Sequence, residues 1–298
     1  MEKMKKTNKK ATGERLEFNY YSNVTVEHLH RYAIAKDFVL GKTVLDIASG
    51  EGYGSYLLSE TASKVIGVDI DFETIKNAKK KYLKSNLKYL VGNADKIPVE
   101  SNSFDVVVSF ETIEHHDKHD EMLLEIKRVL KHDGVLIMSS PDKKYYSDLT
   151  GQKNPFHVKE LYFKDFKELI NKYFDYTNYY CQSSFNLNSF ITCSEKFSNH
   201  TVYLGNETYL NKDRCNPVYN LVIASDLGRF STGDSFFDGT EIRNKIIERI
   251  KSNLVYQLNN SIVKEIKSTY TFKLGSIIIY PLFKFKKYIK RIFEPYVK

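Results

Sequence analysis

Apolar positions along this chain change period repeatedly, and the changes outline its architecture. Val26, Leu29, Ala33 and Phe38 recur at helical spacing, which predicts a helix over 25–40. Val44–Ala48 is instead a short continuous apolar run, the pattern of a strand buried on both faces. A helix is expected over 53–62, a strand over Lys64–Ile70, a helix over 72–84, and strands over Leu87–Val91 and Phe104–Phe110. Met122, Leu123, Ile126, Val129 and Leu130 then share one face of a helix over 118–131, and Gly134–Ser139 is a fifth strand. Short apolar runs alternating with amphipathic helices predict an α/β fold, a mostly parallel sheet with helices on both faces.

Beyond residue 150 the regularity weakens. Leu161, Phe166, Leu169 and Ile170 predict a helix from Lys159 to about Tyr173. Strands over Asp175–Gln182 and Val218–Ser225 bring the count to seven. The polar stretch between them, 184–216, is too long for a hairpin loop and reads as a functional or disordered insertion. A helix over 241–267 and a basic, apolar tail follow. The expected organisation is a disordered basic start over 1–13, an α/β domain over 14–226, and a helical extension over 227–298.

Composition alters this picture in two places. The 298 residues include only three cysteines, Cys181, Cys193 and Cys215, with no CxxC pair, which suits a reducing compartment such as the cytoplasm. The lysine-rich start lacks the apolar core of a signal peptide, in keeping with that location. The net charge of +8 belongs to the ends. Residues 1–10 hold five Lys against one Glu, and residues 264–298 hold nine Lys or Arg against two Glu, so the stretch between is slightly acidic. A nucleic-acid partner, which would need cations spread over a folded face, is not expected.

The candidate chemistry begins where the first strand ends, at Asp46-Ile-Ala-Ser-Gly-Glu-Gly-Tyr-Gly54. A strand, a glycine turn and a helix present backbone N–H groups to an anionic or nucleotide-like ligand. A nicotinamide site would place its third glycine where Ser55 stands, and no Lys-Ser or Lys-Thr follows to make a P-loop. Asp69 closes the second strand, 19 residues after Gly50, where a carboxylate can accept from ribose hydroxyls. Asp95 follows the third strand, within reach of an adenine amino group. Acids at the ends of consecutive parallel strands converge on the crevice where open α/β sheets bind ligands.

With these residues in place, the chain resembles the class I S-adenosylmethionine-dependent methyltransferases, of the group labelled type 11, over about residues 14–182. The resemblance implies a Rossmann-like sheet of seven strands whose last hairpin is antiparallel. It also implies S-adenosyl-L-methionine as cofactor, with S-adenosyl-L-homocysteine as product. Asp46 and the turn residues Gly50, Gly52 and Tyr53 would hold the methionine end. Asp69 would take the ribose, its neighbour Ile70 would join the cofactor contacts, and Ala94 and Asp95 would meet the adenine. Phe110 and Glu111 would line the pocket below the sulfonium. Arg31, in a helical N-terminal lid with Gly13-Glu-Arg15, would meet the cofactor carboxylate.

The acceptor side rests on two histidine-bearing segments. Ser109-Phe-Glu-Thr-Ile-Glu-His-His-Asp117 leaves the fourth strand and offers Glu111, Glu114, His115 and His116. A sugar hydroxyl needs a general base, and a histidine with a pKa near 6.5 suits the task. His115 is the candidate; the alternative is that it only holds the loop. In Asn154-Pro-Phe-His-Val-Lys-Glu-Leu161, His157 and Glu160 can face the pocket mouth, or the segment can simply start a helix. No dense ligand cluster calls for a metal, although Glu114, His115, His116 and Asp117 leave one open.

Together these segments resemble methyltransferases of bacterial surface-polysaccharide pathways (O-antigen or capsule), which implies a sugar or glycan acceptor. Methylation of a membrane quinone or lipid, and a non-catalytic cofactor-binding subunit, stand as alternatives. In the tail, Phe285, Tyr288, Ile289, Ile292 and Phe293 fall at helical spacing among five cations. That pattern suits peripheral contact of 274–298 with the inner face of a membrane, or packing on a partner such as a second copy of the chain.

Overall fold

The computed structural model describes residues 21–151, 153–195, 201–214, 216–269 and 273. The expected disordered start, the Gly13-Glu-Arg15 segment and the 274–298 tail lie outside them. One compact unit reaches to Ile242 and a second starts at Arg243.

The first unit is built on a nine-stranded sheet. Its parallel core comprises β1 (Thr43–Ile47), β2 (Lys64–Asp69), β3 (Leu87–Val91), β4 (Phe104–Ser109) and β5 (Leu130–Pro141). The edge continues through β6 (Tyr176–Phe185), β7 (Asn188–Cys193), β10 (Tyr219–Ser225) and β11 (Ser235–Phe237), in the order β11-β7-β6-β10-β5-β4-β1-β2-β3. β10 runs antiparallel between β5 and β6. The strand order reverses between β1 and β4, which makes their C-terminal ends the switch point where such sheets bind ligands.

Successive side chains of these strands alternate between two apolar layers. Val44, Val106, Val108, Val135 and Ile137 face one layer, and Leu45, Val107, Leu136 and Met138 face the other. On the first side pack α1 (Asn23–Lys36), α2 (Tyr53–Leu58) and α3 (Phe72–Lys81), through Tyr32, Leu58 and Ile75. On the second side pack α4 (His119–Val129) and α5 (Phe163–Asn171), through Met122, Ile126, Phe166 and Ile170. Each fully buried apolar side chain of this size contributes roughly 1.5–3 kcal/mol. Burial on both faces is why the central strands read as continuous apolar runs.

The sheet has two strands more than the seven expected, and both corrections fall after β6. Asn186 and Leu187 turn β6 back into β7 with positive φ at both residues, 50° and 62°. That is the geometry of a two-residue hairpin, made here without the glycine that usually marks it. The 184–216 stretch is therefore ordered in part. Besides β7 it contains a separate hairpin, β8 (Thr201–Asn206) with β9 (Tyr209–Arg214). The helix expected from Lys159 starts only at Phe163, because Leu161 is held beside Asp142 at the end of β5 and Lys143 N–H donates to its carbonyl (3.0 Å).

α1 is tied to the added strands by polar side chains. His30 lies between the Ser189 and Ser235 hydroxyls at 3.0 and 2.9 Å, and Gln182 Nε2 donates to the Glu27 carbonyl at 3.0 Å. α6 (Thr240–Ser268) carries the chain from the first unit into the second. Among the described residues, no helix is long and apolar enough to cross a membrane.

Candidate functional site

A cavity of about 460 Å³ opens at the switch point, lined by residues from the ends of β1, β2, β3 and β4 and from α1. Backbone strain gathers at its floor: Ala48 and Glu111, the residues leaving β1 and β4, both have positive φ (56° and 50°). A left-handed conformation costs a non-glycine residue on the order of 1 kcal/mol, and such strain clusters at functional sites.

The glycine turn forms one wall. Gly50 has φ +52°, and a Cβ added there would meet nothing within 4 Å, so the backbone is left bare toward open space. Gly52 (φ +86°) serves packing instead: a Cβ there would stand 2.7 Å from the Tyr89 hydroxyl, which donates to the Gly52 carbonyl. Asp69 is pinned at the rim, its two oxygens accepting from Gly50 N–H and Asp71 N–H at 2.9 Å each. Beside it the Ile70 side chain is two-thirds exposed, an apolar surface next to an acid. Gly92, Asn93 and Ala94 line the cavity as well.

Asp46 is not in the cavity lining. It faces the α1–α2 side of β1, completely buried, accepting from Ser55 Oγ at 2.6 Å and from the Tyr32 hydroxyl at 3.2 Å. Burial outweighs these hydrogen bonds and pushes its pKa up to about 7. Tyr53 does line the cavity, with its hydroxyl 3.0 Å from His28 Nδ1. Asp95 is turned away, paired with Lys118 at 2.6 Å.

Arg31 is fully buried and lies behind the cavity. Its Nη1 pairs with Glu111 and donates to Ser139 Oγ at 2.8 Å, while the guanidinium stacks 4.7 Å from the Tyr219 ring. Nη2 has no hydrogen-bond partner. The geometry makes Arg31 the counter-ion that fixes Glu111, and Glu111 lines the cavity beside Phe110.

The acceptor-side candidates meet at the mouth. The Glu114 carbonyl accepts from Val158 N–H (2.8 Å) and Lys159 N–H (3.1 Å), which clamps the 154–161 segment against the loop after β4. The clamp sets the His115 and His157 rings 5.1 Å apart, edge to face, with Tyr146 stacked on His157. His115, His116 and Phe156 line the cavity. His157 itself is held by Glu160, Nδ1 to Oε1 at 2.5 Å, and does not line it.

Of the sequence candidates, Gly50, Tyr53, Asp69, Ile70, Ala94, Phe110, Glu111 and His115 thus share one cavity. Asp46, Gly52, Asp95, Arg31 and His157 stand behind or beside it. Sequence reasoning missed Ser49 and Asn93 as lining residues. Ser49 was legible as the polar residue before Gly50, whereas nothing in its neighbours marks Asn93.

Residues 45–138 match the family model described as "Methyltransferase domain". A "Probable S-adenosylmethionine-dependent methyltransferase" of Mycolicibacterium smegmatis is 35% identical over 131 residues, 44% of this chain and 50% of that protein. "Demethylmenaquinone methyltransferase" of Lactococcus lactis is 34% identical over 140 residues, 45% of this chain and 53% of that protein. The chain thus spans about half the length of the curated relatives it matches. A crystal structure of a "SAM dependent methyltransferase from Archaeoglobus fulgidus" shares the fold, with TM-score 0.51 over 70% of this chain and 95% of that one, at 19% identity. Residues 45–138 therefore match a methyltransferase domain carried on the fold of that crystal structure, and S-adenosylmethionine is the cofactor that the match implies. The residues present suit that group: an open cradle at Gly50 that a Cβ would fill, an acid at the ribose position, and an apolar side chain beside it.

Proposed function

We propose that the protein transfers a methyl group from S-adenosylmethionine to an oxygen of a sugar, in a cell-surface glycan or its precursor. One observation carries the reading. One cavity is lined both by Gly50, Asp69, Ile70 and Ala94, which would take the donor, and by Glu111, His115 and Phe156, which would face an acceptor.

When bound, S-adenosylmethionine supplies a sulfonium-activated methyl group, and the protein's task is alignment and exclusion of water. Asp69 would hold the ribose, the Gly50 turn the methionine end, and the Ile70 side chain the adenine. Phe110 and Tyr53 exclude water from the floor. Glu111, fixed by Arg31, places a negative charge facing the cavity. A sugar hydroxyl must lose its proton, and the group at the mouth that can receive it is the cluster containing His115. The 154–161 segment, which carries the resemblance to glycan methyltransferases, is the wall an acceptor would pass.

The relative named as a demethylmenaquinone methyltransferase supports a second reading, methylation of a membrane quinone. Purified protein incubated with S-adenosylmethionine and a panel of nucleotide sugars, lipid-linked glycans and quinones distinguishes the two. S-adenosylhomocysteine released with a methylated glycan is expected, and turnover with quinones alone would overturn the glycan acceptor. Contact of the 274–298 tail with an anionic membrane would bring either acceptor to the enzyme. Sedimentation with anionic vesicles, lost on deletion of that segment, is the corresponding test.

A further inference from the structure

At the cavity mouth three side chains from two separate segments converge. One oxygen of Glu114 and one nitrogen each of His115 and His157 all lie within 4.8 Å of one another. We propose that these three residues bind a divalent first-row transition-metal ion, held so that an open coordination position faces the cavity. The assignment rests on four observations.

The first is the carboxylate. The Glu114 side chain is 1% exposed, and neither of its oxygens has a hydrogen-bond partner. A buried, unpaired carboxylate is strongly disfavoured in a protein interior unless a cation or a proton joins it. His115 stands beside it, with Nε2 3.9 Å from Oε1.

The second is the state of the imidazoles. His115 Nδ1 lies 3.2 Å from the Phe156 carbonyl, and His157 Nδ1 lies 2.5 Å from Glu160 Oε1. Both acceptors call for a proton on Nδ1, so Nε2 is the nitrogen each ring would offer a ligand. An imidazole that donates one N–H to a carboxylate or carbonyl and keeps the other nitrogen for a ligand is the usual outer-shell arrangement of a metal-bound histidine.

The third is rigidity. Ser147 Oγ donates to Glu160 Oε1 at 2.7 Å, Tyr146 stacks on His157, and the Glu114 carbonyl clamps the 158–159 backbone. The triad is thus held in place before any ion arrives.

The fourth is access. His115 is one-third exposed and lines the cavity, whereas Glu114 and His157 are covered. Three protein ligands with one open side describe a reactive rather than a structural site. Two imidazoles and one carboxylate suit zinc, cobalt, iron or manganese better than magnesium or calcium, which prefer oxygen donors. If the methyl-transfer reading holds, the open position lies where an acceptor oxygen would bind, and His115 serves that oxygen through the ion.

The experiment uses untagged full-length protein freed of metal by chelation and titrated with cobalt(II) chloride. One equivalent should bind with a visible ligand-field spectrum, and zinc(II) should displace it. Glu114→Gln, which keeps the side-chain shape, and His157→Gln should each weaken cobalt affinity at least about tenfold. His132→Gln, on the exposed surface, should leave it unchanged. Far-ultraviolet circular dichroism confirms that each variant is folded, and an unfolded variant is replaced by His115→Gln. Absence of stoichiometric binding, or binding indifferent to both Glu114→Gln and His157→Gln, would overturn the site. S-adenosylhomocysteine calorimetry on the same samples separates this result from the methyl-transfer reading. Cofactor binding without cobalt binding defeats the metal site alone, and cobalt binding without cofactor binding defeats the donor site alone.

Discussion

Replacing Asp46 by Asn probes how the donor half of the site is held together. The carboxyl is completely buried between β1, Ser55 and Tyr32, and its pKa is raised from an ordinary 3.8 to about 7. The folded protein therefore keeps this proton up to about pH 7, while the unfolded chain releases it near pH 4. In that window the native state binds more protons, so its stability falls as pH rises, and above pH 7 the deficit is constant. Each pKa unit corresponds to about 1.4 kcal/mol, which makes the full deficit on the order of 4 kcal/mol. About 2 kcal/mol of it develops between pH 5.5 and pH 8.

Other groups titrate in the same range with the opposite sign. Burial, with the nearby Arg31 charge adding, lowers the pKa of His28, and the same causes lower that of His30 to about 4. Their unfolded forms bind the extra proton, and their contribution rises with pH until about 6.5. The wild-type profile alone therefore does not isolate Asp46, and the difference between wild type and Asp46→Asn does. Asn keeps the shape and one acceptor oxygen but never ionises. Thermal unfolding followed by circular dichroism should show wild type losing ground to the variant by roughly 4–8 °C between pH 5.5 and pH 8. A melting-temperature difference independent of pH, or one that grows toward acid, would refute the assignment of a neutral, buried Asp46.

The remaining expectations concern the cavity itself. Gly50→Ala places a methyl in the open cradle at φ +52°, and should weaken S-adenosylhomocysteine binding by about tenfold or more, read by calorimetry. Asp69→Ala removes the acceptor of two backbone N–H groups as well as the proposed ribose partner, and should both lower the melting temperature and abolish measurable cofactor binding. His115→Ala should cut turnover by about 10²–10⁴-fold while cofactor affinity holds; near-full activity would remove His115 from the chemistry. Arg31→Met leaves Glu111 without its buried counter-ion and should destabilise the fold by about 3–5 kcal/mol in urea titrations, with partial recovery in the Arg31→Met, Glu111→Gln double variant.

The part of the cavity lined by Gly50 and Asp69 was legible in the sequence because its determinants are local. The apolar period of β1, the glycines that follow and the acid closing β2 each declare themselves within a few residues, and a parallel sheet brings successive strand ends to one edge. The added strands were not legible, because the turn that creates β7 is made by Asn186 and Leu187, and a leucine with positive φ leaves no mark in composition. The ion pairs of Arg31 and Asp95 were not legible for a related reason: their partners, Glu111 and Lys118, come from distant segments.

The acceptor side depends most on such non-local contacts. His115 and His157 looked like two separate candidates, each open to a merely structural role. What joins them is a main-chain carbonyl, that of Glu114, taking the amides of Val158 and Lys159. Backbone hydrogen bonds of this kind carry no side-chain signature, so spacing could not show that the two rings meet over one buried carboxylate. The same contact adds to the Leu161 pairing in keeping the segment before α5 out of a helix until Phe163. The amides of Val158 and Lys159 are committed to the loop after β4, and that commitment holds the segment beside the cavity.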